Sequence, residues 1–255
     1  MKKTTSPTGA PLHTRAEGSG VKATESLPLW RYLDLARLIA ILAKKQLPLI
    51  RLDLFPDPFE GSVLPSYDEA SKHQQVREYL TELRRTYRRQ TYVSCWTASD
   101  HESEAMWRLY CGPRDGVAMR TTFSKLKVSL PDSVRLAIVE YIDHADSPST
   151  YTPDMLWYIM RKRPSFEHEQ EVRAVYLDQT DLLLHTARIR HDKIRADPSA
   201  AIGFDWEPEI VIEQVYVSPH AEEWYQDVVQ SVLERFAPAL VERLCWSGMR
   251  EMPHF

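Results

Sequence analysis

At 255 residues, 43% hydrophobic and 10% aromatic, the chain is long enough for one large domain or two small ones with a substantial core, which excludes disorder over most of its length. A formal net charge of −4 excludes a global positive field for a polyanion, while a local basic groove stays open. Cys95, Cys111 and Cys245 are widely spaced and odd in number, which argues against a disulfide framework or a zinc site and for a reducing, cytoplasmic setting.

Residues 1–26 are rich in Thr, Ser, Gly, Pro and Lys, without a hydrophobic period, and read as a flexible tail. Lys2 and Lys3 precede no apolar stretch, so no secretory signal is expected, and no run approaches the ~18 apolar residues of a membrane span. The fold is expected over 27–255, beginning with an aromatic strand at 27–32. Asp34 or a neighbour then caps a helix with apolar Leu35, Leu38, Ile39 and Leu42. A strand is expected at 46–52, then an irregular loop at 53–61 forced by Pro56, Pro58 and Gly61. Residues 66–90 predict a charged helix with Val76, Tyr79, Leu80, Leu83 and Tyr87 as its apolar stripe. Its end carries Arg84, Arg85, Arg88 and Arg89, which suit the helix C-terminus or, alternatively, a phosphate contact.

Residues 91–97 are β-branched and aromatic, a strand; 103–111 form a helix and 112–116 a turn. Strands follow at 117–122 and 134–142, with a helical turn at 123–128 between them, and 151–161 is expected to be helical. Residues 178–199 carry no clear signal. Ile210, Val211, Ile212, Val215 and Val217 predict a strand at 210–217, and Pro219 opens a helix to Phe236. About six or seven strands and five or six helices, not in strict alternation, predict one α+β domain with a mixed, mostly antiparallel sheet flanked by helices.

The stretch most suggestive of chemistry is 161–176. After Pro164 its residues alternate as a strand would, placing Glu167, Glu169, Glu171 and Arg173 on one face and Phe166, His168, Val172 and Ala174 on the other. Three acids on one strand face repel unless cations, a metal or a ligand compensates them. A salt-bridge network closed by Glu171 and Arg173, with Arg31 paired to Asp57 or Glu60, is the structural alternative. Glycine-rich phosphate loops, the nucleophile elbow and His-Glu-x-x-His are all missing. His168 reads as a structural histidine, Cys95 as a buried strand thiol, and Trp30, Trp96 and Trp107 as core anchors.

Four segments together resemble a prokaryotic domain-of-unknown-function family (number twenty-nine seventy-one): Leu29-Trp30-Arg31-Tyr32, residues 51–60, Val93-Ser94-Cys95-Trp96 with Met106-Trp107-Arg108-Leu109-Tyr110, and residues 166–173. The family's Asn-Asp-Pro reads Pro56-Asp57-Pro58 here. The order of Arg31, Ser94 and then Glu169 or Glu171 also resembles the Arg–Ser–Glu arrangement of ADP-ribosyltransferases, and Glu169-Gln170-Glu171 resembles their Glu-x-Glu.

That resemblance implies an ADP-ribosyltransferase-like fold and an enzyme using NAD as co-substrate, a transferase or NAD glycohydrolase in a toxin or defence system. Glu171 would stabilise an oxocarbenium-like transition state and Glu169 would position the acceptor. Arg31, Tyr32, Ser94, Trp96 and Asp57 would bind the dinucleotide, the arginine through its pyrophosphate and the serine through a hydroxyl contact. The acceptor is left open among protein, nucleic acid and water. Two rival readings stand beside it. One is a metal-dependent nuclease using Asp57, Glu169 and Glu171 as oxygen ligands. The other is a non-catalytic binding module with the arginine-rich helix end as its contact.

Overall fold

Local chemistry sets the first turn of the fold. Strand β1 (Pro28–Leu33) ends at Asp34, whose carboxylate accepts from the Arg37 backbone N–H at 2.8 Å and starts helix α1 (Leu35–Lys44). The helix buries Leu38, Ile41 and Leu42 and stops at Lys45, which takes a left-handed conformation (φ 49°) and donates to the Ile41 and Leu42 carbonyls. These relations come from a computed structural model that describes residues 24–61, 74–143, 155–179 and 198–251. The expected tail at 1–26 lies almost wholly outside them, as does most of 178–199.

The chain continues through β2 (Gln46–Arg51), α2 (Gln74–Gln90), β3 (Thr91–Ala98), α3 (Glu104–Cys111), β4 (Val117–Thr122) and α4 (Phe123–Ser129). Then come β5 (Val134–Ile138), β6 (Glu140–Tyr141), α5 (Met155–Ile159), β7 (Arg161–Lys162) and β8 (Glu171–Leu177). The last part holds β9 (Ala201–Asp205), α6 (Pro208–Val211), β10 (Gln214–Val217), α7 (Glu223–Phe236) and β11 (Leu244–Trp246). Of the stripe expected on α2, Leu83 and Tyr87 are half-buried; the side chains of Val76, Tyr79 and Leu80 lie outside the described residues.

A nine-stranded sheet runs β11-β10-β4-β1-β3-β2-β9, with β8 beside β3 and β5 beside β8. Every ladder in it is antiparallel except β10–β11, so the α+β class with a mostly antiparallel sheet is what the chain adopts. One face carries Leu29, Leu33, Trp96, Met119 and Val215 against α1, α4 and α7, through Ile41, Leu126 and Val229. The other face carries Trp30, Tyr32 and Ala118 beneath Met106 and Trp107 of α3, and Val93 and Val175 beneath Leu52 and Ile159. Both faces are therefore covered by helices or turns.

The edge of β3 opposite β8 is shared. Strand β1 pairs there only at Thr97 and Ala98, and β2 only at Tyr92 and Val93. Between them the sheet forks, and residues 94–96 line the gap.

Two expected strands are otherwise built. The alternation at 164–176 is not one strand: Pro164–Glu169 is a 3-10 helix, and Gln170 turns left-handed (φ 42°) before β8 begins. Pro164 sits at the first helical position, where a fixed φ and a missing N–H are tolerated. The Gln170 backbone and side-chain N–H groups both donate to the Glu167 carbonyl, at 3.1 and 2.7 Å, and close the turn. Likewise 210–217 divides: Pro208 starts the short helix α6, the Ile212 N–H closes it on the Pro208 carbonyl at 2.8 Å, and only Gln214–Val217 is strand.

Candidate functional site

The register of β3 against β8 decides which side chains meet. Thr97 stands opposite Glu171 and Cys95 opposite Arg173, while Ser94 stands opposite Ala174 and Trp96 opposite Val172. Side chains alternate along a strand. Glu171 and Arg173 therefore share the sheet face of Cys95 and Thr97, and Ser94 and Trp96 occupy the other.

Arg31 joins Ser94. Its Nη1 donates to the Ser94 hydroxyl at 2.8 Å and its Nη2 approaches the Pro48 carbonyl at 3.5 Å, so one guanidinium bridges β1, β3 and β2 across the fork. It lies 5.7 Å from the Trp96 ring, and burial pulls its pKa down to about 10. Trp96 is 2% exposed and packs edge-on to Trp206 at 6.4 Å. Arg31, Ser94 and Trp96 thus come together. They do not share a sheet face with the acids, and Arg31 pairs with neither Asp57 nor Glu60.

Tyr32 faces the Glu171 side, but there its hydroxyl accepts from the Ser103 N–H at 2.9 Å and its ring packs edge-on to Trp107 at 4.9 Å. Asp57 is gripped by Arg163 through two bonds, of 3.2 and 3.0 Å.

The acids belong to a buried ionic network. Arg173, 0% exposed, donates Nε and Nη2 to the two oxygens of Glu171, both at 2.9 Å, Nη1 to the Ile159 carbonyl at 2.6 Å, and Nη2 also to Glu60. Lys162 donates to Glu169 at 2.9 Å and to Glu171 at 3.3 Å and lies 3.3 Å from Glu60. Three carboxylates face two cations, a formal excess of one negative charge. Burial raises the Glu171 carboxyl, but Arg173 and then Lys162 outweigh it and hold the pKa down at about 2. Burial also works against the charged Lys162, and Glu171 and Glu60 more than reverse that, so its ammonium is held charged. The Glu171 N–H donates to the Tyr141 hydroxyl at 2.8 Å, which fixes the start of β8.

The three acids differ in access. Glu60 and Glu171 are 3% and 2% exposed, and Glu169, at 8%, is the outermost. Glu169 accepts from the Tyr110 hydroxyl at 3.3 Å, and Tyr110 is itself exposed. Lys162 lies 4.6 Å from the Phe166 ring, and Arg163 stands 5.5 Å from Phe166 and 4.6 Å from exposed Phe59. Tyr110 therefore meets the carboxylate nearest the surface, and Phe166 stands against the Lys162 that pairs with it and against half-exposed Arg163. Glu167 and His168 point to solvent and take no part.

Lys162, Glu60, Tyr110 and Tyr141 complete the network; Glu60 is expected from sequence only as a partner of Arg31, and Lys162 and Tyr141 carry no signal there. Lys162 was hidden in a run of three cations, where the central one alone is buried. Among the described residues no group of three or more His, Cys, Asp or Glu could hold a metal ion, and no helix is long and apolar enough to cross a membrane.

No family model matches the chain, and no curated protein matches it. The resemblance to the domain-of-unknown-function family therefore rests on the four segments alone. Among solved structures the chain is similar to Thermus sp. 2.9 DarT in complex with ADP-ribosylated ssDNA, at 11% identity and a TM-score of 0.43, covering 90% of this chain and 98% of that one.

Proposed function

We propose that the chain is an NAD-consuming enzyme of ADP-ribosyltransferase type, with its reactive end at Glu169. The observation that carries this reading is a buried network one positive charge short, whose outermost carboxylate accepts from exposed Tyr110 and pairs with Lys162 beside Phe166. Breaking the bond between nicotinamide and ribose C1′ sends the electron pair out with nicotinamide and leaves cationic charge on the sugar. A fixed anion in a low-dielectric site stabilises that charge most where it develops. Phe166, Phe59 and Tyr110 offer apolar surface to the bases, and Arg163 a cation to the pyrophosphate. An acceptor or water then attacks C1′.

In this reading the two glutamates exchange the roles expected of them. Both oxygens of Glu171 are engaged by Arg173, so it acts as the electrostatic anchor, and Glu169 meets the sugar. Arg31, Ser94 and Trp96 hold the fork on the opposite face in this reading. The nuclease reading draws no support from the geometry, because Lys162 stands against Glu169 and Glu171, and Arg163 against Asp57, where a metal would sit.

The test is nicotinamide release from NAD by the purified chain. Glu169→Gln is expected to lower it roughly 10²–10³-fold with an unchanged melting temperature. A second reading, a purely structural clamp, is favoured by the complete pairing of Glu171 with Arg173. It prevails if the wild-type chain releases no nicotinamide, or if Glu169→Gln releases it at the wild-type rate.

A further inference from the structure

Strand β9 ends the sheet: β2 pairs one of its edges, and among the described residues no strand pairs the other. The Arg51 N–H reaches the Ala200 carbonyl at 3.0 Å and the Trp206 N–H reaches the Lys45 carbonyl at 2.8 Å. Residues 200, 202, 204 and 206 therefore turn their peptide groups toward β2, and Ala201, Gly203 and Asp205 turn theirs outward. All three outward residues are exposed. The strand reads Ala-Ile-Gly-Phe-Asp, with neither the lysine nor the proline by which edge strands are commonly blunted.

The C-terminal end of this edge opens on a groove of about 540 Å³ between α4 and α6. Buried Trp206 and Val211 line it, and Val128 and Ile210, 85% and 73% exposed, also border it. The Trp206 indole is fixed by its bond to the Ser129 hydroxyl at 2.9 Å, so the groove is preformed. Asp205 stands where edge and groove meet. The Gln46 amide approaches its carboxylate at 3.4 Å, and among the described residues no cation lies within ion-pair distance.

We propose that the β9 edge and this groove form one docking site for an extended segment of a partner protein. The segment adds a strand to β9, seats an apolar side chain against Trp206 between Val128 and Ile210, and sets a lysine or arginine against Asp205. Main-chain pairing supplies affinity in this mode, and the pocket for an alternate side chain supplies selectivity. A small molecule would use the groove and leave the edge idle. A peptide of this pattern uses the outward peptide groups, the apolar groove and the uncompensated carboxylate together. The site is separate from Glu169, and the proposal holds whether or not the chain consumes NAD.

The test uses peptides enriched from a displayed random library on the full-length chain, then synthesised with a fluorescent label and measured by anisotropy. Backbone N-methylation at alternate positions is expected to weaken binding in one register only, by roughly tenfold, the order of one lost net hydrogen bond. Ala201→Pro removes an outward N–H while leaving the β2 ladder whole, and is expected to cost a similar factor without lowering the melting temperature. Ile210→Asp, at an exposed position, is expected to do the same through the groove, and Asp205→Lys to reverse the preference for a basic flank. The proposal is overturned if no peptide is enriched, or if enriched peptides ignore both Ala201→Pro and Ile210→Asp. It is equally overturned if the wild-type chain sediments as a dimer that Ala201→Pro converts to a monomer, since a second copy then occupies the edge.

Discussion

Arg173 sits at the centre of the network with no surface exposed, and its two partners in β8 and the 53–61 loop differ in what they set. Glu171 fixes the guanidinium in a bidentate pair, and Glu60 ties the loop to the strand. Neutralising Glu171 leaves Arg173 with Glu60 and Lys162 with Glu169, and removes the bidentate, charge-assisted bonds that orient the guanidinium. Glu171→Gln is therefore expected to lower the unfolding free energy by roughly 1.5–3 kcal/mol, read by urea titration. The pH dependence follows from the same residue. Its folded pKa, about 2, lies below its ordinary value of 4.5, so its stabilisation is complete above 4.5 and is lost as pH falls through about 2. That component is on the order of 3 kcal/mol. Urea midpoints measured from pH 5 down to 2 should fall more steeply for the wild-type chain than for Glu171→Gln.

Elements with their own local signals were legible in the sequence, and those that depend on a turn were not. Asp34, with the stripe at Leu35, Leu38 and Leu42, announced α1, and the β-branched and aromatic run at Thr91, Val93 and Trp96 announced β3. The alternation through Phe166 and His168 misled, because a single left-handed residue at Gln170 changes which side the chain presents, and nothing in a glutamine marks that conformation. The acids at Glu169 and Glu171 were visible as a cluster and Arg173 as a partner. Their separation from Arg31 and Ser94 was not, because it is set by the pairing of β3 with β8, residues about 80 positions apart along the chain. Lys45 offers a test at this scale. It holds φ 49° at the end of α1, where glycine bears no penalty, and its ion pair with Glu207 is exposed. Lys45→Gly is expected to raise stability by about 1 kcal/mol, seen as a higher melting temperature.

For the whole molecule, the fork in the sheet matters more than any single ladder. Strands β1, β4, β10 and β11 lie on one side of it and β2 and β9 on the other, with β8 and β5 across β3 from both. Arg31 is the side chain that spans the gap, through Ser94 and Pro48. Arg31→Ala is expected to speed amide hydrogen exchange at Cys95, whose peptide group faces the gap, while Ser94 and Trp96, paired to β8, stay protected; equal exchange in both chains would remove the bridging role. With so little direct pairing of β1 and β2 to their common neighbour, the two wings are joined like pages at a narrow spine. Strand β3 also lies alongside Glu171 through its pairing with β8, so the strand that joins the two wings is the one that seats the buried acids.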